Sequence, residues 1–396
     1  MRKQHKKFVF IARGSSHINY FKAFADASSL NVTVIKLNRE LFRPGFLRYL
    51  NITQNADIET LLHPHLIKKS RKHPKLYKSF LWPVFKRISH FLTKLEVVKS
   101  AALIDEANAD VVGVWNGQKL PSSAIAEAAK ILGKEVVYFE NGLLPHTTTC
   151  DWSGVNCLNS LPRIGEFYLQ FYDQKPLPQE LVARKPVRDK AEGLSSDSLP
   201  KRYIFVPFQV ETDSQIISNS PWIRNMRQLY WHISNVLEQV NDPHLYVVIK
   251  EHPSEPVRHD NLHHQNKRIL FANQCNTQKL IEQACAVMTI NSTVGLEALL
   301  LGKPVIVLGK ACYGIEGVSK QVKSEEQMIE VFNHPDQLCA DPKIKCGFLN
   351  FMHDHYTIPS SWKNIDHKHV DALTKRLLQK DTLSDSLRRQ KLQAKN

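Results

Sequence analysis

The sequence predicts an α/β protein made of two Rossmann-like domains. Three observations carry that expectation. Short runs of β-branched and aromatic residues alternate with stretches of helical spacing, the rhythm of parallel-sheet α/β units. At 396 residues the chain is too long for one compact core. Residues 176–201 hold Pro176, Pro178, Pro186, Pro200 and a Ser-Ser-Asp-Ser run without hydrophobic periodicity, the composition of an interdomain linker. The expected division is therefore 1–175, a linker at 176–201, 202–360, and a helix with a polar tail at 361–396.

Composition narrows the class. A hydrophobic share of 42% and an aromatic share of 9% suit a globular protein. No run approaches the roughly 18 apolar residues of a membrane span. The basic start, Met1 to Lys7, is followed by an apolar run, Phe8 to Ala12, that is too short for a signal peptide, so a cytoplasmic location is expected. Seven Cys at irregular spacing fit neither a disulfide framework nor a paired C-x-x-C zinc site. The formal charge of +15 implies an anionic partner: nucleic acid, an anionic membrane surface, or a phosphorylated or carboxylated substrate.

Taken in order, Phe8-Val-Phe-Ile-Ala12 reads as a strand, 18–27 as a helix and Asn31-Val-Thr-Val-Ile-Lys-Leu37 as a second strand, a βαβ opening. Residues 61–99 are basic and aromatic, with ten Lys and Arg from Lys68 to Lys99 against the single acid Glu96. Apolar residues at Leu76, Phe80, Val84, Ile88, Phe91, Leu92 and Leu95 recur at helical intervals, with Pro83 expected to kink or divide the segment. Such an insertion suits an anionic membrane face, and equally a helix with its apolar stripe in the core. Strands are expected at 109–116 and 134–142, with a helix at 122–132 between them; 145–156 reads as a long irregular loop. The second half repeats the rhythm, with strands at 203–207, 244–250, 267–271, 286–290 and 304–308. Helices are expected at 225–239, 277–284, 296–301, 324–332 and 366–378. The last of these is far enough downstream to pack back on the first domain, and 380–396 reads as a frayed tail.

The chemistry is expected where strands end in polar residues, because ligands of open α/β sheets bind at the carboxyl edge. Strand 203–207 runs into Gln209, Glu211, Thr212, Asp213 and Ser214, where Asp213 or Ser214 can also be an ordinary helix cap. Lys250-Glu-His252-Pro253 places a His and a Lys at a strand end, suited to a phosphate. Thr289-Ile-Asn291-Ser292-Thr293-Val-Gly295 enters a helix with hydroxyls and backbone N–H groups, and Gly295 is expected to let a ligand approach the backbone. Asn116-Gly-Gln118 and Glu140-Asn141-Gly142 end two strands of the first half.

These motifs together resemble the capsule-polysaccharide β-Kdo transferase family of the KpsS/LipB type, from about residue 110 to residue 320. Gly154-Val-Asn156, Ser160-Leu-Pro-Arg163 and Tyr313-Gly-Ile-Glu-Gly-Val-Ser319 add to the likeness. The resemblance implies a GT-B glycosyltransferase: two Rossmann-like domains facing a cleft, the first for the acceptor and the second for a CMP-sugar. It implies transfer of β-Kdo from CMP-Kdo with retention, in capsule or surface polysaccharide biosynthesis. Asp213 falls at the reaction centre, with Glu140 as the second catalytic candidate. Gln209, Glu211, Asn141, Gly142, Asn156 and Arg163 are the candidate substrate-binding residues. Lys250, His252, Pro253, Asn291, Ser292, Thr293, Gly295 and Glu297 are the candidates for CMP. Where the family commonly carries an Arg-Pro pair this chain has Leu143-Leu-Pro-His146, leaving His146 or Arg163 to take its place.

The chemistry argues separately for a carboxylate at Asp213. Departure of CMP leaves oxocarbenium-like charge that an adjacent carboxylate can trap covalently. No cofactor and no metal are expected, since no Asp-x-Asp ends a strand and the leaving group carries one phosphate. The expected partners are a CMP-sugar donor, an anionic lipid or glycan acceptor, the inner membrane surface at which the protein is peripheral, and other capsule-assembly proteins; nucleic acid is not expected. The rival readings are a transferase of another CMP-activated ulosonic acid, such as sialic acid, a nucleic-acid-binding protein, supported by charge alone, and a non-catalytic capsule-assembly subunit.

Overall fold

The computed structural model describes residues 6–37, 45–175, 177, 181, 194, 198–255 and 257–393. Two compact units form: Met1–Ser160 with His355–Asn396, and Leu161–Asp354. The linker expected at 176–201 lies largely outside the described residues.

The first unit opens with β1 (Phe8–Ala12), α1 (Ser15–Ala27) and β2 (Val32–Lys36). The basic segment then forms α2 (Ile58–Lys72), α3 (Pro74–Tyr77) and α4 (Trp82–Glu106). Pro83 sits in the first turn of α4, where a missing N–H costs nothing, so the segment is divided before it rather than kinked at it. Next come β3 (Val111–Trp115), α5 (Ser122–Ile131), β4 (Glu135–Asn141) and β5 (Thr147–Asp151). Strands β2, β1, β3 and β4 are parallel, and β5 returns antiparallel to β4. All five residues of β1 are buried because both sheet faces are covered. Val9 and Ile11 join the cluster with α4 and α5, whereas Phe8, Phe10 and Ala12 pack with Phe21 and Phe24 of α1.

The strand at β5 corrects the irregular loop expected there. Its run, Thr147-Thr-Thr-Cys-Asp151, is too polar to announce a strand, yet it pairs Asn141 with Thr148 and Tyr138 with Asp151. Gly142 makes the tight return possible, since a Cβ there would overlap Thr147.

The second unit holds β6 (Tyr203–Pro207), α6 (Ser214–Asn219), α7 (Met226–Gln239), β7 (Tyr246–Lys250), β8 (Ile269–Phe271), α8 (Thr277–Gln283) and β9 (Ala286–Thr289). It continues with α9 (Val294–Leu300), β10 (Val305–Val307), β11 (Lys320–Gln321), α10 (Glu325–Asn333) and α11 (Pro342–Phe351). The sheet order is β8-β7-β6-β9-β10-β11 with every pairing parallel, the 3-2-1-4-5-6 order of a Rossmann sheet. This unit begins near residue 161, earlier than the 202 expected. The cause is an aromatic knot: Phe167, Tyr168 and Phe171 of a 3-10 turn pack against Phe348 and Phe351 of α11. The aromatic run Phe167-Tyr-Leu-Gln-Phe-Tyr172 stands just before the linker, but its partners on α11 lie about 180 residues downstream, so the run does not say which unit it joins.

The chain then returns to the first unit as β12 (Ile358–Pro359), α12 (His367–Leu377) and α13 (Thr382–Gln393). β12 pairs antiparallel with β5, completing the order β12-β5-β4-β3-β1-β2. Leu373 and Leu377 of α12 cover the face of Phe8 and Phe10. The tail expected to fray is helical at α13. Its buried Leu383 packs inward, and Asp381 before it is paired with the buried Arg376. The chain order, two Rossmann-like units with a C-terminal return to the first, is that of the GT-B class.

Candidate active site

In a 3-2-1-4-5-6 sheet the ligand crevice opens at the carboxyl ends of the central pair, where successive crossovers diverge. Here that pair is β6 and β9, and the loops leaving them carry Gln209, Glu211 and Asp213 on one side and Asn291, Ser292 and Thr293 on the other. The two loops are tied together. Buried Gln209 donates from Nε2 to Asn291 Oδ1 at 2.9 Å, and its Oε1 accepts from Asn291 N and Thr289 Oγ1, both at 3.2 Å. Asn291 Nδ2 in turn donates to the backbone oxygens of Gln215 and Asn219. Expected to bind substrate and CMP, these two side chains instead brace the crevice walls.

Asp213 stands at the N-terminus of α6. Its Oδ1 accepts from Gln215 N at 3.0 Å and Ser214 Oγ at 3.2 Å, and its side chain is partly exposed. Glu211 is more deeply engaged. Its Oε1 caps α7 through Met226 N at 2.9 Å, and its own N–H donates to Glu255 Oε2 at 2.7 Å. Behind it lies His259, 3% exposed, with Nε2 3.7 Å from Glu211 and Nδ1 3.8 Å from Glu251. Burial, reinforced by Arg227, lowers the His259 pKa to about 4, so the ring is neutral at neutral pH. Burial also raises the carboxyl pKa of Glu251. Neither His259 nor Glu255 was singled out from sequence, because isolated polar residues after a turn look like solvated loop.

At the end of β7, His252 Nδ1 accepts from Ser254 N at 3.1 Å. With Nδ1 an acceptor, the proton of the ring sits on Nε2, a donor suited to an anion. Pro253 follows in that turn. Lys250 behaves differently from expectation. Its Nζ donates to Cys275 O and, at 3.1 Å, to Thr277 Oγ1, pinning the start of α8 rather than offering charge at the rim.

The start of α9 is also spent internally. Ser292 N donates to Thr289 Oγ1, and the N–H groups of Val294 and Gly295 go to Ser292 Oγ and O. A Cβ at Gly295 would overlap Tyr313, whose hydroxyl donates to Ser292 O, so the close approach this glycine permits is by Tyr313 and not by a ligand. Thr293 stands at the N-cap of α9 without a side-chain capping bond, and Glu297 lies in its first turn, partly exposed.

Among the described residues, Glu251, Asp260 and His263 bring one ligand atom each within 4.8 Å of one another. Both Glu251 oxygens already accept bonds there, from His259 N at 2.9 Å and Asn273 Nδ2 at 3.1 Å.

The first unit has its own polar rim. Glu140 accepts from Asn116 Nδ2 and from the backbone and side chain of Asn141, while Asn141 Oδ1 accepts from Trp362 Nε1 at 2.8 Å. His17 stacks on Trp115 at 4.1 Å beside Trp362. Fully buried Asp151 gathers the N–H groups of Ser153, Gly154 and Ser160 and so shapes the loop that holds Asn156, itself at a φ of 58°. Gly142 serves the hairpin. Arg163 belongs to the second unit and donates to Leu161 O. Trp362 was not legible in the sequence, since it lies 221 residues from its partner Asn141.

Residues 188–345 match the model of a family described as capsule polysaccharide biosynthesis protein. Protein FixF of Sinorhizobium fredii is 32% identical over 320 residues, covering 78% of this chain and 76% of that protein. The chain belongs to the capsule polysaccharide biosynthesis protein family. Within that family it is also similar to the capsule polysaccharide export protein KpsS of Escherichia coli, at 26% identity over 49% of this chain and 65% of that protein. Among solved structures, Thermosulfurimonas dismutans KpsC, a β-Kdo 2,7 transferase, is similar at 15% identity and a TM-score of 0.46, covering 94% of this chain and 100% of that one.

Proposed function

We propose that this member of the family is a retaining glycosyltransferase that moves β-Kdo from CMP-Kdo to a lipid or glycan acceptor in capsule or surface polysaccharide biosynthesis. The observation that supports it best is the β6/β9 crevice of a Rossmann sheet, braced by Gln209 and Asn291, with a partly exposed carboxylate, Asp213, on its wall. Asp213 attacks the anomeric carbon and the C–O bond to CMP breaks, leaving a glycosyl ester. An acceptor hydroxyl then displaces Asp213, its proton passing to a base, and two inversions give retention. Glu140 is the alternative carboxylate, in the first unit. His252 donates from Nε2 to the CMP phosphate, Thr293 borders the same crevice, and Glu297 faces the ribose. One phosphate on the leaving group makes a metal unnecessary.

The test incubates the chain with CMP-Kdo or CMP-sialic acid and lipid acceptors, read by mass spectrometry. Acceptor that gains one Kdo residue supports the reading. Transfer of sialic acid alone replaces the donor, and no turnover of either donor across acceptors makes the chain a non-catalytic assembly subunit.

A further inference from the structure

The basic segment of the first unit does not bury its whole apolar stripe. On α4, Val84, Ile88, Phe91 and Leu92 stand at i, i+4, i+7 and i+8, one face of a helix, and all four are exposed, Phe91 at 60%. The opposite side of α4 is the packed one, with Ser89, Thr93 and Val97 buried. The stripe continues past the helix start through Leu81 to Phe80, which is 87% exposed, and to Tyr77 of α3. Seven large apolar side chains in one run form a surface of a kind that globular proteins reserve for partners.

Charge selects the partner. Between Thr60 and Leu95 the chain has nine Lys and Arg and no Asp or Glu. Lys75, Lys78, Lys86 and Arg87 are exposed around the stripe. A second copy of the chain would meet this patch with the same sign of charge across a two-fold axis, which is unfavourable. Nucleic acid answers the charge but leaves the aliphatic side chains Val84, Ile88 and Leu92 in water. An anionic bilayer surface satisfies both, taking the apolar side chains below the headgroups and the ammonium groups at their level.

We infer that α3 and the N-terminal half of α4 form a docking face for an anionic lipid surface, with Phe80, Ile88 and Phe91 as its inserting side chains. Within the basic segment the exposed stripe of α4, and not the end of α2 where Lys68, Lys69 and Arg71 are only partly exposed, carries this face. The inference stands apart from the donor reading, because it is tested without any nucleotide sugar.

The experiment is co-sedimentation of the full chain with phosphatidylglycerol/phosphatidylcholine vesicles and with pure phosphatidylcholine vesicles. Wild type should bind the anionic vesicles and bind the zwitterionic ones at least about tenfold more weakly. F80S/I88S/F91S should lose about tenfold or more in anionic-vesicle binding, and K75Q/K78Q/K86Q/R87Q should do the same, each at an unchanged melting temperature because these side chains are exposed. The inference is overturned if wild type ignores anionic vesicles, or if the apolar triple variant binds them like wild type. It is equally overturned if duplex DNA binds more tightly than the vesicles, or if wild type is a dimer that the triple variant converts to monomer.

Discussion

At the scale of single residues, the second unit separates two carboxylates only two positions apart. Asp213 caps a six-residue helix and stays partly exposed, whereas Glu211 caps α7 and backs onto buried His259. Asp213→Asn keeps a good cap, so melting should shift little while transfer from CMP-Kdo falls by several orders of magnitude. Glu211→Gln should act the other way, lowering stability by about 1–3 kcal/mol through its loosened bond to Met226 N and leaving measurable turnover. A dead Glu211→Gln beside an active Asp213→Asn would move the reaction centre by two residues. His259 supplies a pH test. Its folded pKa, about 4, lies below the unfolded value, so the unfolded chain binds the extra proton first. This contribution is whole above pH about 6.5 and is lost as pH falls toward 4, up to about 3 kcal/mol in all. Glu251, with its raised pKa, works in the opposite sense just above the ordinary carboxylate range and blunts the effect. His259→Gln should flatten the fall of melting temperature between pH 6.5 and 4.5; an unchanged slope would assign that acid sensitivity elsewhere.

Elements are held in place by cross-ties between strand ends rather than by the strands alone. The bond pair between Gln209 and Asn291 spans 82 residues and joins the exits of β6 and β9. Removing it with Gln209→Ala strands the Asn291 side chain and backbone N–H in a buried setting, at a cost of about 1–3 kcal/mol. Loss of CMP binding should accompany that loss of stability, as calorimetry with CMP can show, even though Gln209 is spent on its neighbours. The start of α9 is fitted just as closely to Tyr313. Gly295→Ala should destabilise the second unit by about 1–3 kcal/mol through overpacking, and Gly295→Ala with Tyr313→Phe should recover part of it by removing the crowded hydroxyl. Equal melting temperatures for wild type and Gly295→Ala would show that the site relaxes freely.

For the molecule as a whole, the C-terminal return is part of the first core. Leu373 and Leu377 cover Phe8 and Phe10, and His369 Nε2 meets Tyr20 Oη at 3.0 Å. Arg376, 2% exposed, binds Asp381 and the backbone oxygens of Cys150 and His355. Arg376→Met takes the donor from the partly buried Asp381 carboxylate and from two carbonyls, so about 3–5 kcal/mol should be lost from the first unit. The second unit, with its own core of β6, β7, β9 and α7, should melt as before. Two resolved calorimetric transitions of which only one moves would verify this; a single shared shift would show that the units unfold as one.

The set and order of the elements, and the strand ends where polar residues gather, are legible in the residues alone. Strands such as Phe8–Ala12 and Tyr203–Pro207 are buried on both faces, and that condition writes itself locally as an apolar run. The polar strand β5 and the helix α13 escaped because their signals are weak or hydrophilic. Tertiary structure alone decided which polar residues at the strand ends are consumed by the fold. Lys250, Gln209, Asn291 and Ser292 look open to a ligand in sequence, yet each finds a partner from a distant segment, Ser292 through the Tyr313 hydroxyl. It also decided that the apolar stripe of α4 stays exposed, since a helical period states that a face is apolar but not what will cover it. Hydrogen-bond partners and the far side of a packed face are set by contacts between distant segments, and no local pattern of residues records them.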